Sequence, residues 1–155
     1  MIPLPLVSSP KNLYETDFNL WILTTVQNIQ RSNFQAVDWD HVAEELSSLG
    51  KQQQQELENR LIVLLEHLLK LGYWAAERDN NQRGWKGTIR EQRSRIRRLL
   101  AKNPSLKPYV QEVIAECYQD ARKIALDKTG LLPDQLPIQM SMTLEQVLDE
   151  DWLPQ

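Results

Sequence analysis

The sequence is short of the residue types on which most catalytic and cofactor-binding motifs depend. Among its 155 residues there are five glycines and one cysteine, and no glycine-rich phosphate loop, nucleophile elbow or paired metal motif occurs. The single Cys117 cannot close an intramolecular disulfide, which favours a reducing, cytoplasmic setting. We therefore expect no catalytic activity and no cofactor. A divalent-ion nuclease built on Asp38, Asp40, Glu44 and Glu45 is the enzymatic alternative.

Long apolar runs are also missing. The longest strongly apolar stretch, residues 61–71, is interrupted by Glu66, His67 and Lys70, and it is shorter than the roughly 20 residues that span a bilayer. The first residues lack both the basic start and the apolar run of a signal peptide. We expect no membrane span and no secretory leader.

The apolar content of 41% is enough to build one hydrophobic core. Apolar side chains recur every three to four residues, and no segment alternates with the period of two that marks a half-buried strand. This pattern predicts an all-α protein, an antiparallel bundle of four to five helices with an irregular C-terminal segment that ends in a short helix. Residues 1–12 are predicted to form a proline-rich N-terminal arm, and residues 13–155 a single helical domain.

The first two helices are predicted from apolar spacing and from a cap. One helix is expected to bury a face made of Phe18, Trp21, Ile22, Thr25, Val26 and Ile29. Asp38 is the predicted N-cap of a short second helix that ends near Gly50.

Later helices are predicted in the same way. Residues 52–74 are predicted to form one long helix with a leucine seam. Residues 79–82 are predicted to break the pattern, with a longer run of this helix as the alternative, and Pro104 is expected to end the next helix at Asn103. Another helix should stop at Gly130, and Thr143 with Gln146 matches a capping box.

Several segments of this chain are similar to a known family. They read YETDF at residues 14–18, EELSSLG at 44–50, HLLKL at 67–71 and TLEQVLDEDWLP at 143–154. Together they resemble the bacterial family called domain of unknown function 29, which is abundant in cyanobacteria. The resemblance implies a helical fold over nearly the whole chain and carries no activity, substrate or binding residues with it.

Charge is distributed unevenly along the chain. Residues 78–102 hold nine basic and two acidic residues, whereas residues 38–66 hold seven acidic and two basic ones. At about 100° per residue, five cations of the first segment fall on one helix face beside Trp85. We name this set the basic stripe; it consists of Arg83, Lys86, Arg90, Arg93 and Arg97.

The basic stripe has two interpretations. A row of cations can follow a phosphate backbone while Trp85 stacks on a base, which makes the stripe and Trp85 candidate anion-binding residues. Alternatively the cations are solvated or face the acidic helices, and the net charge of −3 favours this interpretation. The candidate partners are then Glu44, Glu45, Glu56, Glu58 and Glu66.

The two histidines and the cysteine are expected to be structural. His41 with Glu44 and Glu45 lies within one turn, a spacing too common to predict a metal site. His67 lies on the flank of the leucine seam and Cys117 on the apolar face of its helix, positions typical of packed side chains.

Two functional hypotheses remain. The first is a non-catalytic helical module that binds a protein partner or a second copy of itself, and it is favoured by the leucine seams. The alternative is a domain that binds nucleic acid or another polyanion through the basic stripe.

Overall fold

The computed structural model describes residues 10–155, and these residues form helices and connecting turns without a β-strand. The α-helices are α1 (Pro10–Thr16), α2 (Phe18–Gln30), α3 (Trp39–Tyr73), α4 (Ala75–Lys102), α5 (Lys107–Thr129) and α6 (Leu144–Leu148). Short 3-10 turns lie at Phe34–Ala36, Pro104–Leu106 and Pro133–Gln135. The predicted all-α class is confirmed, with six α-helices in place of four or five.

The chain divides into two compact units, Met1–Gln52 and Gln53–Gln155. Most of the predicted N-terminal arm, residues 1–9, lies outside the described residues, and its last residues already belong to α1. The first unit contains α1, α2 and the beginning of α3. The second contains the remainder of α3 with α4, α5 and α6.

The second unit is a helical bundle around a leucine-rich core. Trp74, directly after α3, stacks on Trp85 in the first half of α4. Arg60, earlier in α3, donates a hydrogen bond to Gln92, later in α4. These two contacts show that α3 and α4 run antiparallel. The α3 side of the core contains five leucines with no exposed surface: Leu57, Leu61, Leu64, Leu65 and Leu68. Burying each of them contributes about 1.5–3 kcal/mol.

Local signals set several of the helix ends as predicted. Helix α4 stops at Lys102, with Asn103 as its C-cap before Pro104. Gly130 ends α5 in the left-handed conformation (φ 69°) that glycine adopts without a Cβ penalty. Thr143 and Gln146 form the predicted capping box of α6.

Two predicted helix breaks are wrong. Helix α3 runs through Gly50 without interruption, because a glycine inside a helix costs only about 1 kcal/mol and the packed leucines further along the helix offset it. Helix α4 likewise runs through residues 79–82. The predicted end of the long helix at Trp74 is confirmed within one residue, because Trp74 is the single residue between α3 and α4.

The C-terminal segment packs onto the second unit's bundle. Val147 of α6 is fully buried, and Trp152 and Leu153 pack against the core. A Cβ added at Gly72 would lie 3.2 Å from the Pro154 ring, so the glycine makes room for the tail. The predicted irregular segment ending in a short helix is confirmed.

Candidate interaction surface

Helix α2 carries no charged residue over its 13 positions. Asp17 caps it, accepting a hydrogen bond from the Leu20 amide at 3.0 Å. Trp21 and Thr25 are the buried residues of this helix. A helix that is apolar over most of its circumference and free of charge is normally covered on several sides.

The predicted buried face of α2 is only partly buried. Of its six residues, Trp21 and Thr25 are covered, but the other four are 37–45% exposed. We call these four the α2 stripe: Phe18, Ile22, Val26 and Ile29. The apolar part of the α2 surface is therefore wider than the part that other residues of the first unit cover.

The beginning of α3 shows the same mismatch. Trp39, Leu46 and Leu49, which we call the α3 seam, are 48%, 63% and 54% exposed. At about 100° per residue this seam lies on the same face of the helix as the buried Leu57 and Leu64. The apolar pattern of α3 is thus continuous, while its burial begins only in the second unit.

A cluster of polar and aromatic side chains connects α1, α2 and α3 within the first unit. The Tyr14 ring stacks on His41 with centroids 3.7 Å apart and meets Trp21 edge-on, and its hydroxyl donates to Glu45 at 2.5 Å. His41 Nδ1 lies 2.5 Å from the carboxylate of the buried Asp38, and Asp38 also accepts from the His41 amide, as predicted for an N-cap. The hydrogen bond that His41 donates to the Asp38 carboxylate raises the pKa of His41 above its usual value of 6.5.

His67 is held differently. It lies 2.8 Å from the Val63 carbonyl, and burial lowers its pKa. The folded state therefore favours the protonated form of His41 and the neutral form of His67.

The two histidines are expected to titrate on opposite sides of the ordinary value of 6.5. His41 then contributes stability that is present below 6.5 and lost as the pH rises through its folded pKa. His67 acts in the opposite sense, because its neutral form is favoured: its contribution is lost as the pH falls below 6.5. Imidazole proton shifts followed by NMR over pH 4–9 measure both values, and His41→Asn assigns the signals. Two histidine pKa values that both lie near 6.5 would contradict the hydrogen bond of His41 to Asp38 and the burial of His67.

The structure buries Arg93, the fourth residue of the basic stripe, with 3% of it exposed. Its guanidinium donates to the carbonyls of Val147 at 2.8 Å, Trp152 at 2.7 Å and Gln146 at 3.1 Å. Burial lowers the pKa of Arg93, and the nearby Asp149 carboxylate opposes that shift. Arg93 thus binds the C-terminal segment of its own chain.

The other candidate anion-binding residues are distributed between surface and core. Arg97 pairs with Glu150, and Lys86 donates to Gln82 at 3.2 Å. Arg83 and Arg90 are exposed, and neither makes an ion pair or hydrogen bond with any other residue in the described part of the chain. Trp85 is 8% exposed and its ring stacks on Trp74, 5.6 Å between centroids, so it does not present a face for a base.

The acidic residues of the second unit that were candidate partners of the stripe bond elsewhere. Glu56 pairs with Arg60, and Glu58 accepts from the Tyr109 hydroxyl at 2.5 Å, which raises the pKa of Tyr109 to about 12. Glu66 is 3% exposed, and one of its oxygens lies 2.8 Å from both the Lys70 and Lys128 ammonium groups. The predicted pairing of Glu56, Glu58 and Glu66 with the stripe is therefore wrong.

Two further arginines bind backbone carbonyls, and sequence periodicity did not single them out. Arg78 donates to the carbonyls of Leu71 and Gly72 at the end of α3. Arg122 donates to the carbonyls of Pro133, Leu136 and Pro137 beyond α5. A proline has no backbone N–H and cannot continue a helix, so carbonyl groups near it lack a backbone donor and can accept from an arginine. Pro133 and Pro137 are the one local sequence signal for this role of Arg122.

Metal ligands and the cysteine are the remaining candidate reactive groups. Among residues 10–155 no group of three or more histidine, cysteine, aspartate or glutamate side chains is placed to hold a metal ion. Cys117 is buried, and burial together with the Glu58 charge raises the pKa of its thiol to about 11. A thiol so rarely ionised is a poor nucleophile. In the same part of the chain, every helix is either too short or too polar to form a bilayer span.

Fold and surface together define an all-helical protein whose first unit exposes apolar helix faces. The chain belongs to the family described as Domain of unknown function DUF29, whose model matches residues 13–153. The family resemblance is thereby confirmed. Comparison with curated proteins found no match, and comparison with solved structures found none either.

Proposed function

We propose that this protein is a non-catalytic, helical interaction module that binds a protein partner through the apolar surface of its first unit. One observation carries the proposal: a charge-free helix, α2, leaves a stripe of four large apolar side chains 37–45% exposed. Exposed apolar patches of several hundred Å² mark interaction sites more often than inert surface.

The distribution of exposed apolar side chains supports the first unit as the binding region. Among the described residues, nine of the twelve large apolar side chains that are exposed belong to it. They are Phe18, Ile22, Leu23, Val26, Ile29, Phe34, Trp39, Leu46 and Leu49. Interface cores are enriched in aromatic residues and depleted in charge, and α2 has this composition.

Affinity capture from the native cell tests the proposal with two matched variants. Ile22→Glu places a negative charge on the α2 stripe, whereas Gln27→Glu places the same charge on the same helix at an exposed position about 140° away. The wild type and Gln27→Glu should retain the partner. Ile22→Glu should weaken binding by a factor of about 30 or more, because burying an unpaired charge costs at least about 2 kcal/mol. Identical capture by all three proteins would refute the proposal.

Polyanion binding is the second candidate, and it rests on Arg83, Lys86 and Arg90, the exposed residues of the basic stripe that form no ion pair within the described part of the chain. With three phosphate contacts the log-log salt slope would be at most about −2.7. Capture repeated after nuclease treatment separates the candidates: loss of the retained material on nuclease treatment favours nucleic acid.

The setting and the organisation of the module belong to the same proposal. The unpaired, buried Cys117 supports a reducing cytoplasmic location. The family model spans residues 13–153 and supports treating residues 13–155 as one helical domain.

A further inference from the structure

A groove opens on the second unit between the end of α4, the start of α5 and the segment that follows α6. Its volume is about 270 Å³, close to the lower end of the range for small-molecule pockets, ~300–1,000 Å³. Most of its surface is apolar, and Leu100, Ala101 and Leu148 contribute to it. An α-helix is about 10–12 Å wide with its side chains, so the size of the groove favours a small molecule over a helix of a partner.

The charged residues of the groove leave one cation uncommitted. Arg93, Arg97, Lys107 and Glu150 are the charged residues that line it, which gives an excess of positive charge. Arg93 binds backbone carbonyls and Arg97 pairs with Glu150. Lys107 is exposed, and its ammonium group makes no ion pair or hydrogen bond with any other residue in the described part of the chain.

Lys107 occupies a position that the helix itself disfavours. It is the first residue of α5, and the first turn of this helix contains no acidic residue. The N-terminus of a helix is the positive end of its dipole, where an anion is stabilised and a cation is not. A residue that opposes the local preference is expected where function requires it. An anion in the groove would meet both the Lys107 ammonium and the positive end of α5.

We infer that this groove binds a small amphiphilic carboxylate. Its apolar chain packs on Leu100, Ala101 and Leu148, and its carboxylate accepts a hydrogen bond from the Lys107 ammonium. Glu150 lines the same groove and repels a dianion more strongly than a monoanion, which favours a carboxylate over a phosphate. The site lies in the second unit and shares no residue with the proposed protein-binding surface, so it is a binding activity beyond the proposed function.

Octanoate is a suitable probe, because it joins a short apolar chain to one carboxylate. We expect titration of the isotopically labelled full chain to shift the methyl NMR signals of Leu100, Ala101 and Leu148 saturably, with a Kd below about 1 mM. Octan-1-ol has the same chain without the charge. It should bind at the same methyl groups about three- to tenfold more weakly, because it cannot form the charge-assisted hydrogen bond to Lys107.

Lys107→Glu tests the role of the cation. It should weaken octanoate binding at least about tenfold, because attraction is replaced by repulsion, and leave octan-1-ol binding unchanged. The variant should remain folded and melt no lower than the wild type, since the dipole favours an acid in the first turn. Lys123→Glu is the matched control: it makes the same change at an exposed position of α5 about 24 Å away. That distance exceeds the screening length of about 8 Å at physiological salt, so octanoate affinity should stay within about twofold.

Three outcomes would overturn the inference. The groove is not the site if about 5 mM octanoate produces no saturable shift at these methyl groups, since that concentration exceeds the expected Kd. Octan-1-ol binding as tightly as octanoate would show that the carboxylate is not recognised. Equal losses for Lys107→Glu and Lys123→Glu would show that net charge, and not Lys107, governs the affinity. None of these outcomes affects the proposed protein-binding function, which is tested by variants of α2.

Discussion

Replacing Arg93 with methionine should lower the free energy of unfolding by about 3–5 kcal/mol. The guanidinium makes three hydrogen bonds to backbone carbonyls of the C-terminal segment, and its removal deprives all three of this donor while only the Gln146 carbonyl keeps another, the Asp149 amide. Methionine fills much of the same volume, so the loss reports the hydrogen bonds more than a cavity. Chemical denaturation gives the free energy, and amide exchange at Val147 and Leu148 shows whether α6 detaches first.

Arg90→Met is the matched control for Arg93→Met. Arg90 lies one turn earlier on the same helix, is exposed, and forms no ion pair or hydrogen bond with other residues in the described part of the chain. Its replacement should change the free energy of unfolding by no more than about 0.5 kcal/mol. Equal losses for the two variants would show that the carbonyl contacts of Arg93 do not stabilise the fold.

Arg93 also shows what periodicity can and cannot predict. The spacing of the basic residues places them on one face of α4. The partners that decide the role of Arg93 are 53 to 59 residues away in the sequence, and no local pattern connects them. Residues with the same spacing along the helix therefore include a buried arginine as well as exposed ones.

Helix ends with a local cause were predictable. Pro104, Gly130 and the Thr143 capping box each act on the backbone within a few residues, and all three end or begin helices as expected. Gly50 was misjudged because packing outweighs one unfavourable residue. The long helix was predicted to end at Trp74 and does so within one residue, whereas the start of α4 immediately afterwards, at Ala75, was not predicted.

The exposed surface could be foreseen only in part. Periodicity identified the apolar face of α2 but does not report whether another element covers it. The α3 seam illustrates the limit, since one continuous pattern is exposed at Leu46 and fully buried at Leu57. Only the three-dimensional arrangement distinguishes a core face from a candidate interface.

Replacing Glu66 with glutamine is expected to cost about 3–5 kcal/mol of unfolding free energy. Burial alone would raise the pKa of Glu66, but the ammonium groups of Lys128 and Lys70 outweigh it, so the pKa lies below its usual value of 4.5. Lys70 is itself 8% exposed, and the substitution leaves its charge buried beside a neutral amide. Because the folded pKa of Glu66 is depressed, its contribution is present above 4.5 and is lost as the pH falls through the folded pKa.

Glu91→Gln is the control for Glu66→Gln, because it makes the same chemical change in a pair with the same spacing. Glu91 lies 2.9 Å from Arg95 four residues later, but both side chains are more than half exposed. Water and salt screen such a pair, so its loss should cost at most about 0.5 kcal/mol.

The double variant Glu66→Leu with Lys70→Met removes both buried charges and should recover much of the stability that Glu66→Gln loses. Denaturation of the four proteins at pH 7 and pH 4 measures these differences. If Glu66→Gln and Glu91→Gln lose equally little at pH 7, the buried carboxylate is not what stabilises Lys70 in the core.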